Sequence, residues 1–116
     1  TLSVALYWEA LKAAERDYTV FVHLVGPSGR VWAQSDSCPV GGGAPTTSWI
    51  AGEVIVDQHS IRIGEDAPTG TYEVRVGLYD ARRGARVPLS REGVSLAQEQ
   101  AVIASLSVGP SDEAGE

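Results

Sequence analysis

Apolar and polar residues alternate from the start of the chain: Leu2, Val4, Leu6 and Trp8 fall on one side, Ser3, Ala5, Tyr7 and Glu9 on the other. That two-residue period predicts a first strand. Ala10 to Asp17 mixes charge with helix formers, yet so short a stretch does not hold a helix alone and reads as a connection of one turn at most. Tyr18 to Val25 (YTVFVHLV) is apolar at both parities and rich in β-branched and aromatic residues, which predicts a central strand covered on both faces. Gly26-Pro27-Ser28-Gly29 then supplies turn chemistry, with proline fixing φ and glycine admitting positive φ. Val31 to Asp36 is therefore expected to return antiparallel, with Val31, Ala33 and Ser35 opposing Trp32, Gln34 and Asp36.

Ser37 to Gly52 carries Pro39, Gly41 to Gly43, Pro45 and Gly52, a long connection of the kind that is often functional or disordered. Trp49 within it is expected to dock on the body and anchor the loop. In Glu53 to Ile63 the apolar parity changes, from Val54 and Val56 to Ile61 and Ile63; a bulge near Asp57 to Ser60 is the simplest way to restore register. After a turn at Asp66 to Gly70 the alternation is clearest, with Tyr72, Val74, Val76 and Leu78 inward and Glu73, Arg75, Gly77 and Tyr79 outward. The Gly70-x-Tyr72 opening matches the tyrosine corner of Greek-key sandwiches. Asp80 to Gly84 predicts a tight turn into a strand at Ala85 to Leu89, and Ala101 to Val108 a closing strand. The reading is all-β: an immunoglobulin-like or fibronectin-like antiparallel β-sandwich of seven to eight strands, one domain over residues 1–109 with a flexible acidic tail at 110–116.

Composition narrows the function more than it defines it. The 116 residues are 43% hydrophobic and 21% charged, enough apolar content for one core without disulfide or metal; the single Cys38 has no partner for an internal bridge. A net charge of −6 argues against a nucleic-acid partner held by phosphate neutralisation. Three of the acids, Asp112, Glu113 and Glu116, lie in the tail, so the acidity of the body carries no mechanism. No run has the roughly 20 apolar residues of a membrane-spanning helix, and no stretch reads as a signal peptide. A chain that begins at Thr1 and contains no Met is expected to be a segment of something longer.

Four stretches taken together, LYWEAL (Leu6 to Leu11), DYTVFVHLVGPSGRVWAQSD (Asp17 to Asp36), PTTSWIAGEVIVD (Pro45 to Asp57) and PTGTYEVRVGLYDARRGARVPL (Pro68 to Leu89), resemble one group of bacterial segments. These are the extracytoplasmic β-sandwiches at the C-terminus of membrane glycosyltransferases of the family 39, dolichyl-phosphate-mannose mannosyltransferase-like type, from green non-sulfur bacteria. The most specific pieces are VFVHL, the W-x-x-G-E turn at Trp49 to Glu53, and G-x-Y-x-x-x-V-G-L-Y-D at Gly70 to Asp80. The resemblance implies a non-catalytic accessory module outside the cell membrane, with the membrane-embedded part of the same polypeptide as its partner. The transferase carboxylates belong to a part of that family absent from this sequence, so no catalytic residue carries over. His59 stands where such segments usually hold an aromatic residue.

Candidate chemistry is sparse. A zinc site drawn from His23, His59, Asp36, Asp57 and Cys38 lacks any C-x-x-C or H-x-x-x-H spacing, and no motif calls for a cofactor. His23, between Phe21 and Val25, reads as a core or inter-sheet histidine, and Cys38 as an inert thiol. Carboxylate pairs such as Asp36 with Asp57 or Glu53 would need a cleft to act as a glycosidase. Arg82, Arg83 and Arg86 read as a solvated turn. The better candidates are aromatic: Trp32, Trp49 and Tyr79, with Gln34, Asp36 and Asp80 as polar neighbours, are expected to form a platform for a sugar ring. The competing reading packs those rings between strands or at the end of the core.

Overall fold

The computed structural model describes residues 1–109; the expected acidic tail at 110–116 lies outside them. Eight strands follow in order, β1 (Leu2–Glu9), β2 (Thr19–Val25), β3 (Val31–Ser37), β4 (Val54–Ile61), β5 (Gly70–Tyr79), β6 (Ser90–Arg91), β7 (Val94–Ser95) and β8 (Ala101–Val108). A four-stranded sheet runs β3-β2-β5-β8, a two-stranded sheet pairs β1 with β4, and β6 with β7 make a small ribbon. Every pairing is antiparallel. The fold is thus the all-β antiparallel sandwich that the alternation implied.

β2 is central, flanked by β3 and β5, as its two-faced apolar composition required. Val20, Val22 and Leu24 meet Leu78, Val76 and Val74 across the ladder, and all six are buried against Val4, Leu6, Ile61 and Tyr72. Tyr72, fully buried, donates its hydroxyl to the Pro68 carbonyl at 2.6 Å, which ties the crossover into β5 to the sheet as a tyrosine corner does. The β2–β3 hairpin closes with Gly29 N–H donating to Gly26 O, and Gly29 has φ +89°.

Two strand-level expectations are corrected. β1 and β4 pair from Leu2↔Ile61 to Glu9↔Val54 without a register shift, so the bulge expected near Asp57 to Ser60 does not exist. Ile55, Asp57, His59 and Ile61 face inward instead, and Val54 and Val56 are exposed. The polar residues hold the inward positions because they satisfy one another. Ala85 to Leu89 forms no strand; it touches β5 through a single bridge, Tyr79↔Arg86, and Val87 N–H donating to Leu78 O. The ribbon β6–β7 was not foreseen, because strands of two residues leave no period to read.

The long loop is ordered by polar contacts to the body. Thr46, buried, accepts from Tyr18 N–H through Oγ1 at 3.0 Å and donates to Arg16 O at 2.7 Å. Trp49 is buried and donates Nε1–H to Ala44 O at 2.8 Å, a bond within the loop itself.

Candidate functional site

Two polar clusters emerge, one inside the sandwich and one outside. The inner cluster sits on β3, β4 and the turn at Pro39–Gly42. His59 Nε2 lies 2.7 Å from Asp57 Oδ2, Ser35 Oγ lies 3.1 Å from His59 Nδ1, and Asp57 Oδ1 accepts Val40 N–H at 2.8 Å. Trp8 Nε1–H reaches Asp57 Oδ2 at 3.4 Å. With Asp57 ionised, a neutral imidazole satisfies both neighbours: Nε2–H donates to the carboxylate and Nδ1 accepts the serine proton. The connectivity is that of a serine–histidine–aspartate relay, but the His59 and Asp57 side chains are 1% and 0% exposed, and neither hollow described below is lined by Ser35, His59 or Asp57. Nucleophilic catalysis needs a site where substrate carbon and oxyanion donors meet the serine. Here the three groups bridge the two sheets, His59 and Asp57 in the interior and Ser35 half-buried.

The outer cluster lies on the exposed face of the four-stranded sheet. Cross-strand register brings Asp36, Phe21 and Gly77 into one row and Gln34, His23 and Arg75 into the next. Tyr79 continues β5 on the same face and donates its hydroxyl to Asp36 Oδ2 at 2.9 Å. Gln34 Nε2 reaches Asp36 Oδ1 at 3.5 Å, and His23 Nε2 lies 3.8 Å from the same oxygen. From the segment after β5, Arg86 lays its guanidinium over the Phe21 ring at 4.5 Å and donates to Gln98 O and Gln100 Oε1, both at 3.1 Å. Phe21, His23, Gln34, Asp36, Tyr79 and Arg86 line an open hollow of about 350 Å³. Burial lowers the His23 pKa from its usual 6.5, Asp36 opposes the shift and Arg86 adds to it. Burial and the bond to Asp36 raise the Tyr79 hydroxyl above its usual 10.0.

Of the six residues singled out from sequence, the structure brings three together, Gln34, Asp36 and Tyr79, and disperses the others. Trp32 sits where β3 slips register against β2 between Leu24 and Val25. The slip turns its ring onto the core, close to Gly26 and Tyr72 and under the Arg30 guanidinium at 4.1 Å. Its indole N–H is buried without an acceptor, so it is not turned outward to a ligand. Trp49 is committed to the loop. Asp80, buried, caps its own turn by accepting Arg82 N–H at 2.9 Å and pairs with Arg16 at 3.1 Å; the Arg82 bond first, then Arg16, holds its carboxyl below the usual carboxylate range.

Sequence reasoning placed His23 in the interior, but it lies half-buried on the outer face, and His59 is the inter-sheet histidine. The parity break in β4 was the available signal for His59. Arg86, read as solvated turn, lines the hollow, and nothing in its local sequence marks that. A second hollow, of about 460 Å³, lies by Val25, Gly26, Pro27, Thr71, Glu73 and Arg75. Among the described residues no three of His, Cys, Asp and Glu gather closely enough to hold a metal ion. No family model, curated protein or solved structure matches the chain.

Proposed function

We propose that the chain is a non-catalytic accessory β-sandwich module of a larger, glycosyltransferase-like membrane protein, standing on the extracytoplasmic side and serving in binding or scaffolding. The observation that carries the non-catalytic reading is the enclosed base: the histidine and aspartate beside Ser35 lie in the interior, 1% and 0% exposed, and neither hollow is lined by any of the three. The membrane-protein context rests on the resemblance of the four stretches from Leu6 to Leu89. The reading frame upstream tests it: continuation into repeated spans of about 20 apolar residues is expected, and a stand-alone frame with its own start overturns it. A fluorophosphonate probe tests the chemistry. Ser35 is expected to stay unlabelled, and labelling lost in Ser35→Ala refutes a non-catalytic module.

The outer hollow favours a second reading, glycan recognition, because Gln34, Asp36 and Tyr79 converge there with His23 and Arg86. A carboxylate, an amide and a guanidinium beside an aromatic ring suit sugar hydroxyls and a pyranose face. Titration of the ¹⁵N-labelled chain with mannobiose and other neutral oligosaccharides tests it. Shifts confined to His23, Gln34 and Tyr79, and lost in Asp36→Ala, support recognition; an unmoved spectrum at about 10 mM, near the weak end of measurable affinity, removes it.

A further inference from the structure

The two open hollows lie in series on one face of the four-stranded sheet. Thr71, Glu73 and Arg75, which line the second, alternate on β5 with the same parity as Tyr79, which lines the first. On β2, Val25 lines the second hollow, and Phe21 and His23 line the first. Side chains at alternate positions of a strand share one face, so these residues all look out on the same side. Nothing in the sheet stands between the hollows, because His23 is the cross-strand neighbour of Arg75 on one side and of Gln34 on the other. They are successive stretches of one open trough. From Tyr79 to Thr71 the strand advances about 26 Å, at about 3.3 Å per residue, which is longer than a disaccharide.

The lining of the second hollow suits a polyhydroxylated chain. Thr71 offers a hydroxyl, and Glu73 and Arg75 offer a carboxylate and a guanidinium joined by bonds of 2.7 and 3.0 Å from Arg75 Nη2 and Nε to Glu73 Oε1. Ser105 and Ser107 of β8, cross-strand from Glu73 and Thr71, are exposed and extend the row of hydroxyls. The hairpin turn adds the Pro27 ring, with no side chain at Gly26 or Gly29. Other chain-like ligands fit less well. The two linings hold two carboxylates, Asp36 and Glu73, and two guanidiniums, Arg75 and Arg86, so they present no stripe of one sign to a nucleic acid or an anionic glycan. β2 and β5 are paired on both edges and offer no free ladder to an extended peptide. Val25 is 4% exposed, which denies an amphipathic helix its apolar anchor.

We propose that the two hollows form one extended site for a linear, uncharged oligosaccharide, laid along β2 and β5 with units at one end over Asp36 and Tyr79 and units at the other over Glu73 and Thr71. Each half supplies a carboxylate that accepts from sugar hydroxyls and a guanidinium that donates to them, and the strand period repeats polar groups along the chain. A longer chain therefore makes contacts that a single ring over the first hollow cannot make. The site rests on the glycan reading of the first hollow and extends it from a sugar ring to a chain.

The test titrates the whole ¹⁵N-labelled chain with cello- and manno-oligosaccharides of two and six units, and with hexamannuronate, which carries a carboxylate on every unit. The bioses are expected to shift His23, Gln34 and Tyr79 alone. The neutral hexaoses are expected to shift Gly29, Thr71 and Glu73 as well and to bind at least tenfold more tightly, and the uronate to bind at least tenfold more weakly than its neutral counterpart. Glu73→Ala, at a side chain 40% exposed, is expected to lose the gain in hexaose affinity. Hexaoses that bind no more tightly than bioses and leave Thr71 and Glu73 unmoved overturn the extended site while the glycan reading stands. No shift from any chain removes that reading and the extended site with it. Shifts at the second hollow with the first unmoved overturn the continuous site, and equal binding of the uronate overturns its preference for an uncharged chain.

Discussion

Replacing Asp57 by alanine is expected to destabilise the sandwich by about 3–5 kcal/mol, the range for removing one partner of a buried polar pair. The structure supplies the reason. The carboxylate has no solvent exposure, accepts Val40 N–H at 2.8 Å and stands 2.7 Å from His59 Nε2. Alanine strands both groups in the interior, and an unsatisfied buried polar group costs roughly 1–3 kcal/mol. With a urea slope of roughly 1–2 kcal/mol per M, the midpoint falls by about 1.5–5 M, read by the fluorescence of Trp8 and Trp49. The double variant Asp57→Val, His59→Phe replaces the buried pair with apolar volume and leaves Val40 N–H, Trp8 Nε1–H and Ser35 Oγ, all only part-buried, without these partners, so it is expected to lie closer to the parent than Asp57→Ala, within about 1–3 kcal/mol. A loss below about 1 kcal/mol for Asp57→Ala at unchanged slope refutes the claim that the relay clamps the two sheets. A double variant as unstable as the single one refutes the assignment of the loss to orphaned polar groups.

Tyr72→Phe removes the bond to Pro68 O while keeping the buried ring, and is expected to cost about 1–2 kcal/mol in the same urea assay. Gly77→Ala places a methyl 2.5 Å from the Phe21 ring and 2.9 Å from Glu99 O; Phe21 is roofed by Arg86, so the overpacking is expected to cost roughly 1–3 kcal/mol, a fall of about 5–15 °C in Tm by calorimetry. Because burial lowers the His23 pKa below 6.5, the unfolded chain takes up a proton that the folded chain resists. Stability is therefore expected to decline as pH drops through 6.5, and His23→Gln to flatten that decline in urea midpoints; an unchanged slope removes His23 as its cause.

The alternation of single strands was enough to place β1, β2 and β5, their inward residues and the tyrosine corner, because a two-residue period and turn chemistry are local properties of the chain. Tyr72, Val74, Val76 and Leu78 could be assigned inward without knowing what they face. The outer hollow was only half legible: Gln34, Asp36 and Tyr79 were marked by type, but their convergence with His23 and Arg86 depends on cross-strand register, which no strand carries within itself. Trp32 left the platform because one slip in register turned it inward. The burial of Asp57 and His59 was decided still further from the local sequence. Polar residues at inward positions are tolerated only where partners satisfy them, and those partners, Ser35 and Val40 N–H, come from β3 and from the turn that follows it. Alternation along the chain determined the sandwich; contacts between residues far apart in sequence decided which side chains meet, since hydrogen-bond satisfaction is a property of the assembled interior.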